Sequence, residues 1–364
     1  MAPAVSHTQI FYNPKASNAI PVDSPADARA QLESFLRSDP ETNLLLKLSW
    51  DNLNSQPVRQ ILGAVRRRYR VEYDPEYEVL KVKPMPSPLH SALDECIARS
   101  LTEAYLTVLT PDEARCILPL DKSRLLCRAP TLSPGKKPFA WTKDPDFTIC
   151  FKESGHDAVL RVVFEVGFTE AYADLLRDAS QWLLRSGDEV KLAIIIKVDE
   201  DQRQLHCRRR TEEFTSSLSN LISKYGDAES RHCHNIKANG AVLEPTYHLY
   251  EAIKSEITAS DWVGQISAYM EMWEMNGGRP ALRGSRIDIL PTPSNPRDPE
   301  IRITDLIPED RRTLFTDLDE SKTIRLDMGF YREALNQAMP YTGFIRAVKV
   351  IRPLDKYEKE PDYE

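Results

Sequence analysis

The chain has 364 residues, a formal net charge of −7 and a pI near 5.7, with 41% hydrophobic and 28% charged residues. That is the composition of an ordinary soluble globular protein, large enough for one big domain or two modest ones. The acidic balance argues against a surface coated with basic residues for indiscriminate nucleic-acid binding and allows at most a local basic groove.

The first residues, MAPAVSHTQIFYNPKAS, have neither the basic start nor the apolar run of a signal peptide. No segment approaches the roughly 18 uninterrupted apolar residues of a membrane span. An intracellular protein, cytoplasmic or nuclear, not secreted and without a membrane partner, is the expectation. Cys96, Cys116, Cys127, Cys150, Cys207 and Cys233 are scattered without CxxC spacing, which points to reduced thiols and not to a disulfide framework.

In chain order, residues 1–22 are a polar lead-in. Ser24-Pro25 opens a helix in which Ala28, Leu32, Phe35 and Leu36 share a face up to Ser38. Residues 43–50 suit a strand, and residues 57–69 a helix with Val58, Ile61, Leu62 and Val65 inward. Arg66, Arg67, Arg68 and Arg70 at its end can meet phosphates, although a solvated helix terminus is the plainer reading. A hairpin follows: Val71 and Tyr73, a turn at Asp74-Pro75, then Tyr77, Val79, Leu80 and Val82. From Ser87 the spacing of Leu89, Leu93, Ile97, Leu101 and Tyr105 predicts a helix, on which His90 and Glu95 are polar candidates for a site. Residues 110–142 read as turns around one strand at 123–128.

Residues 143–199 organise the rest. Phe147, Ile149 and Phe151 alternate with Thr148 and Cys150; Leu160, Val162, Phe164, Val166 and Phe168 alternate with Arg161, Val163, Glu165 and Gly167. Next comes a helix with Tyr172, Leu175, Leu176, Ala179, Trp182 and Leu183 on one side and Asp174, Arg177, Asp178, Gln181 and Arg185 on the other. Lys191 to Val198 reads as a strand covered on both faces. Asp146 and Glu165 thus sit among apolar neighbours on adjacent strands, where carboxylates are costly unless they share a cation or a proton. Beyond them, residues 199–204 read as a turn, 211–224 as a helix, 262–275 and 285–290 as strands about an Asn276-Gly277-Gly278 turn, 301–306 as a strand and 330–339 as a short helix, before a charged tail.

The order helix, strands, Asp strand, Glu strand, helix, strand resembles the PD-(D/E)XK nucleases at Pro145-Asp146 and Glu165-Val166-Gly167. With Val71 to Lys83 and Pro86-Ser87-Pro88-Leu89-His90 included, it is similar to the bacterial restriction-endonuclease-like family over about residues 66–200. The resemblance implies an α/β (α+β) fold with a restriction-endonuclease-like core at 71–200, an N-terminal α/β segment at 23–70, a C-terminal α+β region at 201–350 and a tail at 351–364. It also implies a metal-dependent phosphodiesterase acting on DNA, with Asp146 and Glu165 holding Mg²⁺ (or Mn²⁺) and His90 and Arg177 as further site residues. Such a cation lowers the pKa of the attacking water and stabilises charge on the phosphate. The family's lysine, two residues after the acid, is replaced by Gly167. Arg177 can stabilise charge but is a poor proton acceptor, and Lys143, Lys191, Lys197 and Gln181 are alternatives between which spacing does not choose. Without that lysine, an inactive relative that binds nucleic acid or protein is the other reading. His206, Cys207, His232, Cys233 and His234 lack zinc-site spacing, and no GxGxxG, P-loop, nucleophile elbow or HExxH is present.

Overall fold

The computed structural model describes residues 19–38, 43–74, 77–84, 88–120, 125–128, 140–168, 170–226 and 251–351. Expectations placed on residues 1–18, on Pro86-Ser87, on the Arg66–Arg68 side chains, on His232, Cys233 and His234 and on the tail lie outside these. In order, the elements are β1 (Ile20–Pro21), α1 (Pro25–Ser38), β2 (Leu44–Lys47), α2 (Trp50–Leu53), α3 (Gln56–Arg68), β3 (Tyr69–Asp74), β4 (Val79–Pro84), α4 (Pro88–Thr107), α5 (Pro111–Cys116) and β5 (Ile117–Leu120). They continue as β6 (Leu125–Arg128), β7 (Ala140–Lys143), β8 (Phe147–Phe151), β9 (Val159–Gly167), α6 (Tyr172–Arg185), β10 (Leu192–Glu200), α7 (Gln202–Arg209) and α8 (Glu212–Tyr225). The last are β11 (Ile266–Asn276), β12 (Arg279–Leu282), β13 (Ile287–Leu290), β14 (Glu300–Arg302), α9 (Ile303–Leu306), β15 (Thr323–Arg325) and α10 (Met328–Ile351).

Two large sheets carry this mixed α/β chain. The first runs β1-β2-β4-β3-β7-β6; the second runs β12-β11-β10-β9-β8-β5 with β13 also on β11. The hairpin β3–β4, grouped with the core by the sequence pattern, pairs with β2 and β7 in the first sheet. One face of this sheet is apolar: Tyr69, Tyr73, Leu80 and Val82 pack with Ala28 and Leu32 of α1 and Val58, Leu62 and Val65 of α3. Period-two alternation sends Arg70, Glu72, Asp74, Lys81 and Lys83 to the other face.

In the second sheet β8 and β9 are antiparallel, whereas β9 and β10 are parallel and joined through α6. Leu192 to Val198 are almost wholly buried because both faces of β10 are covered. On one side Val162, Phe164 and Val166 meet Leu89, Leu93, Ile97 and Leu101 of α4 and Met328, Tyr331 and Leu335 of α10. On the other, Val163, Ala193 and Ile195 meet Leu175, Ala179 and Trp182 of α6. Leu160 belongs to this second cluster together with Cys150. A register shift at Ile149/Cys150 breaks the strict alternation expected along β9.

Several elements differ from their expected form. Residues 110–120 hold α5 and β5, and the signal was present: Thr110 accepts from Glu113 N at 3.3 Å while Glu113 caps Thr110 N at 2.8 Å, with Pro111 between them. Asp201 caps α7 where a turn was expected, Ile303–Leu306 is helical, and α10 runs through Pro340 to 24 residues. No helix among the described residues is long and apolar enough to cross a membrane.

The link from β10 to β11 is packed tightly at Gly264, whose N–H donates to Glu200 Oε1 at 2.7 Å. A Cβ there would lie 2.5 Å from the Asp201 carbonyl oxygen, and backbone cannot step aside as a side chain can. Gly264→Ala is therefore expected to lower unfolding stability by about 1–3 kcal/mol, in the range of overpacked cores, measured by denaturant titration.

Candidate functional site

Asp146 and Glu165 face each other one step beyond the Phe147–Phe164 pair of the β8–β9 ladder. Asp146 N donates to Phe164 O at 3.1 Å and Val166 N returns to Asp146 Oδ2 at 2.7 Å. This closes the ladder's end and fixes the Asp146 carboxylate. His90 Nε2 on α4 lies 3.1 Å from the same oxygen, and Arg70 Nη1 on β3 holds Oδ1. The chain thus brings His90 to the acid pair, while Glu95 is exposed.

Glu165 is 1% exposed. Its Oε1 accepts from Trp182 Nε1 at 2.6 Å and lies 3.6 Å from Lys143 Nζ; its Oε2 accepts from Lys83 Nζ at 3.4 Å. Asp178 joins them: Lys143 and Lys81 are each 2.8 Å from its carboxylate and Lys83 is 3.6 Å away. Lys83 also meets Glu72 at 3.1 Å, and Lys81 meets Glu170. Gln181 and Arg185 of α6 reach Asp74 at the rim. The polar side of α6 therefore divides: Asp178, Gln181 and Arg185 face the hairpin, whereas Arg177 pairs with Asp174 at 2.7 Å on the exposed side. Arg177 is not brought to the acid pair; the α6 residue at that level of the cluster is Asp178.

The amine absent at position 167 has a steric cause. A Cβ on Gly167 would stand 2.5 Å from Leu175 Cδ1 and 2.9 Å from Cγ, and Leu175 is buried in α6. Among the lysines that spacing left open, Lys143 is at Glu165. Lys197 stands beside Gly167 in the parallel register but turns to Asp199 and the Val198 carbonyl, and Lys191 is exposed. Lys83 completes the amine pair without any sequence signal that distinguishes it from an ordinary hairpin lysine.

The electrostatics follow from burial and pairing. Burial alone would raise Asp146, but its contact with the His90 imidazole and the charges of Lys83 and Arg70 outweigh it and hold the carboxyl well below the usual range. Asp178 behaves the same way: burial is overcome by Lys143, Lys81 and Lys83, and its carboxyl stays well below the ordinary value. Burial would lower Lys83, yet Glu165, Glu72, Asp178 and Asp146 keep the amine well above its model-peptide range; Lys81 is raised likewise, chiefly by Asp178. Glu72 is the exception. Burial wins over Lys83, Lys143 and Lys81 and pushes its carboxyl up to about 7.

Asp146 and Glu165 offer the hard oxygens that Mg²⁺ or Mn²⁺ takes. All four of those oxygens, however, are held by protein N–H groups or cations, and no group of three or more His, Cys, Asp or Glu among the described residues is placed to hold a metal. As arranged, the residues do not fit a divalent cation. In comparisons with known proteins, the chain matches no family model and no curated protein.

Two tests follow. Gly167→Ala is expected to cost about 1–3 kcal/mol, and in a Leu175→Ala background much of that cost should vanish, since the removed side chain is the one a Cβ would strike; a double-mutant cycle in denaturant measures the coupling. For pH, the Glu72 carboxyl lies above its unfolded value of 4.5, so the folded chain keeps a proton that the unfolded chain releases. Its contribution then falls as pH rises through that window. Asp146 and Asp178, shifted the other way, contribute stability that is lost only on acidification below the ordinary carboxylate range. Denaturation midpoints measured from about pH 5 to about pH 8 should decline more steeply in the parent than in Glu72→Gln.

Proposed function

We propose that this chain has a nuclease-like architecture in which the acid pair is structural, and that it binds DNA without cutting it. One observation carries this: Asp146 and Glu165, 5% and 1% exposed, spend all four carboxylate oxygens on donors from the protein itself. A phosphate or an attacking water has no open oxygen or amine to meet there. The surface that suits a phosphate backbone is α7 and its end, where Arg203, His206, Arg208 and Arg210 are exposed. Against a net charge of −7, binding on so local a patch would be weak and strongly salt-dependent.

A second reading, metal-dependent phosphodiester cleavage, is supported by a different observation. With α5 and the β6–β7 pair of the first sheet set aside, α4, β5, β8, β9, α6 and β10 follow the order helix, three strands, helix, strand, with β10 parallel to β9 and Lys83 and Lys143 beside Glu165.

Purified full-length chain incubated with supercoiled plasmid and single-stranded DNA in Mg²⁺ or Mn²⁺ distinguishes the two. The proposal expects no nicking, together with a gel shift that Arg203→Ala/Arg210→Ala weakens and that fades with added salt. Metal-dependent nicking that disappears in a folded Glu165→Gln variant would overturn it in favour of the enzyme.

A further inference from the structure

At the other end of the β8–β9 pair, roughly 15 Å from Asp146 at the strand's rise per residue, lies a cleft of about 250 Å³. Its walls come from the β8–β9 turn, the start of β9, the α6–β10 turn and the segment after α9. Arg161, 3% exposed, is the most buried of the charged residues lining it. Its Nε donates to Asp305 O at 3.2 Å and its Nη1 to Glu189 O at 2.7 Å. Nη2 is buried without a hydrogen-bond partner.

Two of the charged groups beside it are already matched. The neighbouring Asp305 carboxylate is taken by Arg283 in two bonds of 2.6 and 2.8 Å, and Arg311 on the rim is taken by Glu153 and Asp310. Both N–H groups of Nη2 are therefore unspent in a guanidinium with five donors. A buried charged donor left unmade costs more than a neutral one, and burial indeed lowers the Arg161 pKa to about 10. Around this donor the lining is acidic, with Glu153, Asp157, Asp188, Glu189 and Asp310 against Arg161 and Arg311. A simple anion such as phosphate would satisfy the donor and be repelled by the rim. A simple cation would do the reverse.

We infer that this cleft binds a small zwitterion whose carboxylate meets Arg161 and whose positively charged amine lies among the rim carboxylates: a free basic amino acid or the carboxy-terminal residue of a basic peptide. The volume, below the roughly 300–1,000 Å³ of drug-sized sites, suits one residue. A planar guanidinium is matched in shape to a carboxylate.

Isothermal titration of the full chain with L-lysine, L-arginine, inorganic phosphate, and a short peptide ending in lysine, carboxylate free or amidated, tests the inference. Binding of the free amino acids, or of the free-carboxylate peptide alone, is expected, with none for phosphate or the amidated peptide; which of the two binds identifies the source. Arg161→Gln should weaken binding about tenfold or more, a ratio equal to about 1.4 kcal/mol. Because Arg161 also ties two backbone carbonyls, a second variant keeps the test independent of folding: Asp157→Asn/Asp188→Asn alters only exposed side chains. Asparagine is suited to the positive φ of 70° at position 188. It should weaken the zwitterion by a similar factor. Phosphate binding alone, no binding by any probe, or affinity unchanged in both variants overturns the inference.

Discussion

The structure depends on one buried electrostatic arrangement, in which Glu72, Asp146, Glu165, Asp178 and Glu170 meet Arg70, Lys81, Lys83 and Lys143 between the hairpin β3–β4, the β8–β9 ladder and α6. Each of these ions loses several kcal/mol of hydration on burial. The loss is offset only when every neighbour is in place. Such a cluster contributes little net stability compared with an apolar core of equal volume, but it punishes any arrangement that leaves a member unpaired. It therefore dictates how the first sheet sits against the second: the apolar face of β3–β4 can turn only toward α1 and α3, and the charged face only toward α6.

The same arrangement accounts for the chemistry of the acid pair. A carboxylate that accepts from Trp182 and Lys83, with Lys143 3.6 Å away, is well solvated by protein, and it has no oxygen to spare. Glu72, facing Lys81 across the hairpin, is the member whose charge the surroundings support least. The cluster accordingly has one soft point near neutrality, whereas Asp146 and Asp178 stay ionised far into acid.

Much of the second sheet was legible in the sequence because its signals are local. The alternation in β8 and β9, the continuous apolar run of β10 and the stripe of α6 each follow from one element's own burial. The pairing of Asp146 with Glu165 follows from register once the two strands are adjacent. Lys81 and Lys83 were legible as one face of a strand, but no local rule says whether that face meets water or α6. Arg177 and Asp178 are neighbours on the same helix, and only the direction from which the hairpin packs decides that Asp178 turns inward. Gly167 was legible as an absence; its reason, the Leu175 side chain, is a tertiary contact. The cap at Thr110, by contrast, was a local signal in plain view within a stretch rich in proline.

The passage from β7 to β8 has a consequence for how the chain reaches its native state. Within three residues the backbone leaves the first sheet after Lys143 and enters the second at Phe147, delivering a cation and a carboxylate to the cluster as it crosses. Asp146 meets Arg70, 76 positions away, and Asp178, the partner of Lys143, also meets Lys81, 97 positions from it. The hairpin and α6 belong to different sheets, so these ion pairs form only as the two sheets meet, and the contact made there is an ionic one.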